Sequence, residues 1–180
     1  GTPDYGVEGC PPGHYRSVFV ARADDPRQTL QDFDGARFAY NEPLSQSGWA
    51  APQTHVATLG LRLPPAVQTG AHRLSAEAVA EGRADIAALD AVTFALMQEA
   101  SPVVRQLKVV GMTDPTPGLP CITALGRDPQ LIFDTVSEAI AALAPGDRAA
   151  LRLRGIVRIP EADYLAVPNP PAPEQIAAMT

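Results

Sequence analysis

Lysine is almost absent from this sequence: of its 14 basic side chains, 13 are arginines and one is Lys108. This fits a GC-rich coding bias rather than any chemistry. The chain has no basic block, and its net charge is −6. That argues against a nucleic-acid partner, because phosphate contacts need clustered Lys and Arg. No apolar run reaches about 18 residues, so nothing reads as a membrane-spanning helix or a direct membrane insertion. The opening GTPDYG has neither a charged n-region nor an apolar h-region, so the chain as given shows no signal peptide. Two cysteines, Cys10 and Cys121, make neither a disulfide framework nor a metal knuckle. One bridge between them, two free thiols, or a bridge to another molecule all stay open. G-x-S-x-G, S-x-x-K, a Walker A loop and a Rossmann glycine fingerprint are missing, and neither cysteine has a His nearby in a nucleophile's pattern. Without a nucleophile–base–orienter set, no enzyme and no cofactor is expected. His14 and His55 have no partner spacing, and with Cys10 and His72 they form no recognised zinc pattern, so no metal is expected.

What is present is apolar bulk and proline. Hydrophobic residues make up 46% of 180, too much for a disordered chain and enough for one large domain or two lobes. The 19 prolines are scattered, which excludes a coiled coil or helix bundle and predicts short elements with stiff connections. Residues 1–14 read as an irregular start. Tyr15–Arg22 (YRSVFVAR) reads as a strand, Thr29–Phe33 as a helical turn, and Arg37–Tyr40 as a second strand. A helix follows the loop at 41–49 and runs to about Leu59, and a short strand lies near Val67. Ser75 is placed as the N-cap of a helix over Ala76–Glu81. Ala84–Asp90 and Leu107–Met112 read as buried strands, Ala91–Glu99 as a helix, and Cys121–Leu125 as a further strand in which Cys121 packs. Asp128-Pro129 starts the clearest amphipathic helix, with Leu131, Ile132, Val136, Ala139, Ile140 and Leu143 at helical spacing. Asp147–Arg154 reads as another helix, and the segment after Tyr164 as an extended tail. This alternation predicts an α/β fold with mostly parallel sheets and flanking helices.

In such sheets ligands sit beyond the C-terminal ends of strands, where helices begin. The strand–loop–helix at 37–59 fits that position. Its helix N-terminus offers unpaired N–H groups and partial positive charge. Ser45 and Ser47 add hydroxyl donors, and Gly48 allows close approach, which together make an oxyanion cradle. The competing reading is that Ser47 simply caps a helix. Trp49 reads as pocket wall or core. His72 is an anion donor or an ordinary satisfied histidine. Asp85 and Asp90 point to opposite faces of one strand, so they are not an acid/base pair. Asp90, at the strand's C-terminal end, accepts from a ligand or caps the helix that starts at Ala91.

These same residues resemble the periplasmic substrate-binding proteins of phosphate, phosphite and phosphonate ABC transporters. Three pieces match in order: Gly9-Cys10 followed by Tyr15-Arg16-Ser17; the stretch QTLQDFDGARFAYNEPLSQSG ending at Gly48; and Gly70-Ala71-His72 followed by AVAEGRADIAALDAVTF (78–94). The segment LKVVGMTDPTPGLP (107–120) follows as the return crossing. The resemblance covers about residues 1–145. It implies a type II periplasmic-binding fold, with two lobes and a ligand in the cleft between them. By position, Ser45, Gln46 and Ser47 would hold the ligand's oxygens beside Gly48, and His72 would be a second donor. Tyr15 would line the cleft, and Asp90 or Thr93 would read the ligand's variable end. Leu119 stands where some phosphonate binders place an acidic residue that pairs with a ligand amine, which argues against an aminophosphonate.

The family's N-terminal lobe segment has no counterpart here, so the resemblance implies an incomplete copy. Residues 24–105 would form a complete α/β lobe with the anion loop. Residues 1–23 and 106–180 would supply hinge strands, a partial second lobe and a C-terminal tail. The expected function is the solute-binding component of an ABC transporter, periplasmic and partnered with a membrane permease. It would bind a phosphate-like or phosphonate-like oxyanion without chemistry. The alternative is a ligand-sensing or regulatory module of the same fold.

Overall fold

The computed structural model describes residues 1–178. In chain order the strands are β1 (Thr2–Asp4), β2 (His14–Tyr15), β3 (Ser17–Arg22), β4 (Phe38–Tyr40), β5 (Pro65–Gln68), β6 (Ile86–Asp90), β7 (Leu107–Met112), β8 (Thr116–Pro117) and β9 (Gly155–Val157). The α-helices are α1 (Ala51–Thr58), α2 (His72–Ala80), α3 (Ala91–Ala100), α4 (Pro129–Ala141), α5 (Pro145–Ala150), α6 (Glu161–Leu165) and α7 (Pro173–Ala177). The chain divides into two compact units: residues 1–15 with 115–167, and residues 16–114 with 168 onward.

The larger unit is built on a five-stranded sheet in the order β5-β4-β6-β3-β7. Phe19 lies on one face of β3, while Val18 and Val20 lie on the other. Both faces are covered, so the strand reads as one apolar run. Phe33, Phe38, Trp49, Val56, Leu63 and Ile86 fill the Phe19 side. Ala76, Val79, Leu89, Phe94 and Met97 fill the other. Burying a side chain such as Phe19 or Leu89 contributes about 1.5–3 kcal/mol. At the base of the sheet Arg37 donates through its backbone N, Nε and Nη2 to the Asp85 carboxylate at 3.0 Å each, tying the start of β4 to the turn before β6.

The expected α/β class holds, with one correction: the sheet is mixed rather than mostly parallel. β4 runs parallel to β5 and β6, but β3 is antiparallel to β6 and β7. The reason lies in where the chain enters and leaves this unit. Ser17 and Thr113 are hydrogen-bonded neighbours, so β3 enters where β7 exits and the two run in opposite directions. The sheet also reaches beyond residues 24–105, because β3 and β7 are two of its strands.

Other expectations shift as well. β7 is an edge strand in which only Val110 is buried, while Val109 and Met112 are exposed. No strand forms at Cys121–Leu125; Cys121, Ile122 and Leu125 are exposed, and no strand pairs with them among the described residues. Ser75 does not cap a helix. Helix α2 begins three residues earlier at His72, and Ser75 is buried inside it with its hydroxyl 2.7 Å from Thr69 Oγ1. The helix expected over 147–154 is the shorter α5, which ends before a left-handed residue, Arg152 (φ 52°).

In the smaller unit β1 pairs antiparallel with β9, and β2 with β8. The start of α4 follows the expectation: Pro129 opens it, and Asp128 Oδ1 accepts from the Gln130 and Leu131 amides at 2.8 and 3.3 Å. Beyond Tyr164, α7 interrupts the expected extended tail and Ile176 packs on the Phe19-side core of the larger unit.

Candidate functional site

The loop after β4 turns directly into helix. Ser45 is the N-cap, and its hydroxyl accepts from Gly48 N at 3.0 Å. Gln46–Ala50 forms a π-helical turn, with the Trp49 and Ala50 amides donating to the Ser45 carbonyl at 3.1 and 3.0 Å. The helix continues without a break as α1. Wide turns of this kind are frequent at functional positions, and the first amides of the helix have no intrahelical hydrogen-bond partner. Trp49 anchors the turn. It is fully buried, its ring centroid is 5.0 Å from Tyr40 and 6.3 Å from Phe38, and its Nε1 donates to the Pro171 carbonyl at 3.2 Å. Of the two readings offered for Trp49, core is the one observed.

His72 occupies the first turn of α2, and its Nε2 lies 3.0 Å from Ser47 Oγ. Burial pushes the His72 pKa below its ordinary value, while Asp90 and the Ala88 backbone push it back up. The ring is therefore neutral near pH 7. When Nε2 carries the proton and donates to Ser47 Oγ, the Ser47 hydroxyl hydrogen is free to meet an anion. Asp90 caps α3, its Oδ1 accepting from Thr93 N at 2.6 Å. The structure thus brings Ser45, Gln46, Ser47, Gly48 and His72 together, with Asp90 close enough to act on His72 electrostatically. Thr93 meets Asp90 through its backbone. Tyr15 belongs to the smaller unit, where it is buried and pairs with Thr116.

Two residues of this neighbourhood carried no role in the sequence reading. A Cβ placed on Gly48 would lie 1.8 Å from Asn41 Oδ1, so the Asn41 carboxamide rests on the glycine. Ser17, fully buried, donates from Oγ to the Ser47 carbonyl at 2.8 Å, and its own amide donates to Thr113 Oγ1 at 2.9 Å. Asn41 stands within the quoted loop sequence, but only its fold position shows what it touches. Asn41 Oδ1, Gln46 Nε2 and His72 Nδ1 are buried with no hydrogen-bond partner of ordinary geometry. Buried polar atoms are normally satisfied; these three flank the Ser45–Gly48 turn, while others, His55 Nδ1 and Thr116 Oγ1 among them, lie elsewhere. Among the described residues, no group of His, Cys, Asp and Glu is arranged to hold a metal.

Residues 5–165 match the family described as the ABC transporter, phosphonate, periplasmic substrate-binding protein. The chain belongs to this family. Its members are periplasmic substrate-binding proteins of ABC transporters. No curated protein matches. Among solved structures, XAC2383 from Xanthomonas citri bound to chloride is similar at 18% identity and TM-score 0.68, over 92% of this chain and 64% of that one. A binding protein component of an ABC phosphonate transporter from Pseudomonas aeruginosa is similar at 22% identity and TM-score 0.62, over 79% and 52%. PhnD1 from Prochlorococcus marinus in complex with methylphosphonate is similar at 19% identity and TM-score 0.54, over 58% and 43%. The fold is that of type II periplasmic-binding proteins. The chain spans about two thirds or less of the length of these neighbours.

Proposed function

We propose that this chain serves as the solute-binding component of an ABC transporter, taking a small phosphorus oxyanion at the Ser45–Gly48 turn. The observation that carries this reading is the paired geometry of that turn. A serine-capped helix N-terminus presents amides and hydroxyls, and Ser47 is held at 3.0 Å by a neutral histidine. Anions are favoured at such a helix end by its N–H groups and its dipole. Family membership and the methylphosphonate bound to PhnD1 support a phosphonate-like ligand. Three side chains, Ser45, Ser47 and His72, and the N–H groups beside Gly48 bind the anionic end. Asp90 and Thr93 face its variable end. The mechanism is binding without chemistry: the bound anion favours one conformation, which a membrane permease then reads. On this reading the protein works in the periplasm.

Calorimetry with phosphate, phosphite, methylphosphonate and 2-aminoethylphosphonate tests the reading. At least one is expected to bind at one site per chain, with 2-aminoethylphosphonate the weakest. Heat from none of the four would refute it. So would steady turnover of a phosphonate ester that Ser45→Ala abolishes, since that would make the site catalytic.

A further inference from the structure

The smaller unit contains a cavity of about 530 Å³ with no counterpart in the oxyanion site. Arg148, Arg152 and Arg154 line it together with Tyr5, and no carboxylate does. That is unusual in a chain of net charge −6. Each arginine is placed by a separate device. Arg148 Nη2 is pinned by the Ile140 and Ala141 carbonyls at the end of α4, at 2.7 and 2.9 Å. Arg152 has φ 52°, and no other non-glycine residue with positive φ occurs among the described residues. It is the C′ residue of α5: its amide donates to the Ala149 carbonyl at 3.0 Å and the Leu153 amide to the Arg148 carbonyl at 3.1 Å, so this left-handed turn closes the helix and sets where the Arg152 side chain leaves it. Arg154 lies across Gly6, itself at φ 58°; a Cβ there would sit 1.9 Å from the guanidinium carbon. A helix-closing turn, a glycine beneath a guanidinium and a carbonyl clamp thus place three guanidinium groups on one cavity.

We infer that this cavity is a second anion site, selective for a polyanion such as pyrophosphate or a nucleoside polyphosphate. Planar, permanently charged guanidinium groups suit phosphate oxygens; Arg148, with its Nη2 held by carbonyls, adds its charge to those of Arg152 and Arg154. The volume lies within the range of small-molecule sites. The half-exposed Tyr5 ring offers a stacking face to any group attached to the phosphates. A simple phosphonate, with one phosphorus centre, offers fewer oxygens and less charge to these groups than a pyrophosphate does.

The test is calorimetry of the intact chain with inorganic pyrophosphate, on wild type, Arg152→Gln, Arg154→Gln and Ser47→Ala. Each arginine variant is expected to weaken pyrophosphate binding about tenfold or more and to leave methylphosphonate binding unchanged. Ser47→Ala is expected to do the reverse. Wild-type binding should also weaken with added salt. Amide chemical-shift mapping on the wild type removes any dependence on the variants folding: pyrophosphate should shift residues 5–6 and 148–154. Absence of pyrophosphate binding, or shifts confined to 45–48 with loss on Ser47→Ala, would overturn the second site and leave the first untouched.

Discussion

Gly48→Ala is the sharpest perturbation of the oxyanion turn. The added methyl carbon would stand 1.8 Å from Asn41 Oδ1, 2.7 Å from Asn41 Cγ and 3.2 Å from Ser45 Oγ. The first two distances are impossible, so either Asn41 leaves its position or the turn shifts. Overpacking of this kind costs about 1–3 kcal/mol. If the turn shifts, the Ser45 and Ser47 hydroxyls move with it, and a displacement near 1 Å is enough to break hydrogen bonds of ordinary length. Urea unfolding should show the stability loss, and calorimetry with the best ligand should show affinity falling about tenfold or more. The decisive arm is Asn41→Ala combined with Gly48→Ala. Truncating Asn41 removes the atoms that the new methyl meets, so the double variant should recover much of what Gly48→Ala lost. Contacting residues show coupling of about 0.5–3 kcal/mol in such a cycle. Wild-type affinity and stability in Gly48→Ala, or strict additivity in the double variant, would refute the packing argument.

Three further outcomes follow from the same geometry. Ser17→Ala leaves the buried Ser47 carbonyl without its donor, and urea unfolding should show a loss of about 1–3 kcal/mol. Ser17→Thr, which keeps the hydroxyl, should recover part of it. Asp25 is held at about 2, first by the hydrogen bond from Arg27 and further by Arg22. A carboxylate lowered in this way contributes stability above its unfolded value of 3.8, and that stability is lost as pH falls toward about 2. Because Arg27 is about a third exposed, screening trims the contribution to about 1–2 kcal/mol; Asp25→Asn should flatten the stability curve in that window. His72 is half-buried and desolvation lowers its pKa, so its contribution is present above its unfolded value of 6.5 and is lost as pH falls below that value. His72→Gln should remove this slope from a pH series of thermal unfolding.

Much of the larger unit was legible because its elements are short, apolar and bounded by strong punctuation. Phe38–Tyr40, Ile86–Asp90 and the helix opening at Ala91 lie within a residue or two of their sequence-based positions. Strand direction was not legible. The run SVFVAR looks the same in parallel and antiparallel neighbours, and only the pairing of Ser17 with Thr113 decides it. At Ser75 the ordinary preference of serine for helix caps misled, because Thr69 offered its hydroxyl a buried partner and freed α2 to begin at His72. Cys121–Leu125 carries strand-like residues but has no neighbouring strand to pair with among the described residues. The serines and His72 of the site were legible from residue type and order. Asn41 and Ser17 were not, because their roles depend on what lies opposite them across distant segments.

On the proposed function, the Ser45–Gly48 turn with His72 holds the anion. A crystal structure of the protein grown with methylphosphonate tests it most directly. Phosphonyl oxygens are expected within about 2.7–3.2 Å of the Ser45 and Ser47 hydroxyls and the first helix amides, with His72 still bonded to Ser47. Methylphosphonate seated elsewhere, with no oxygen at that helix end, would contradict it.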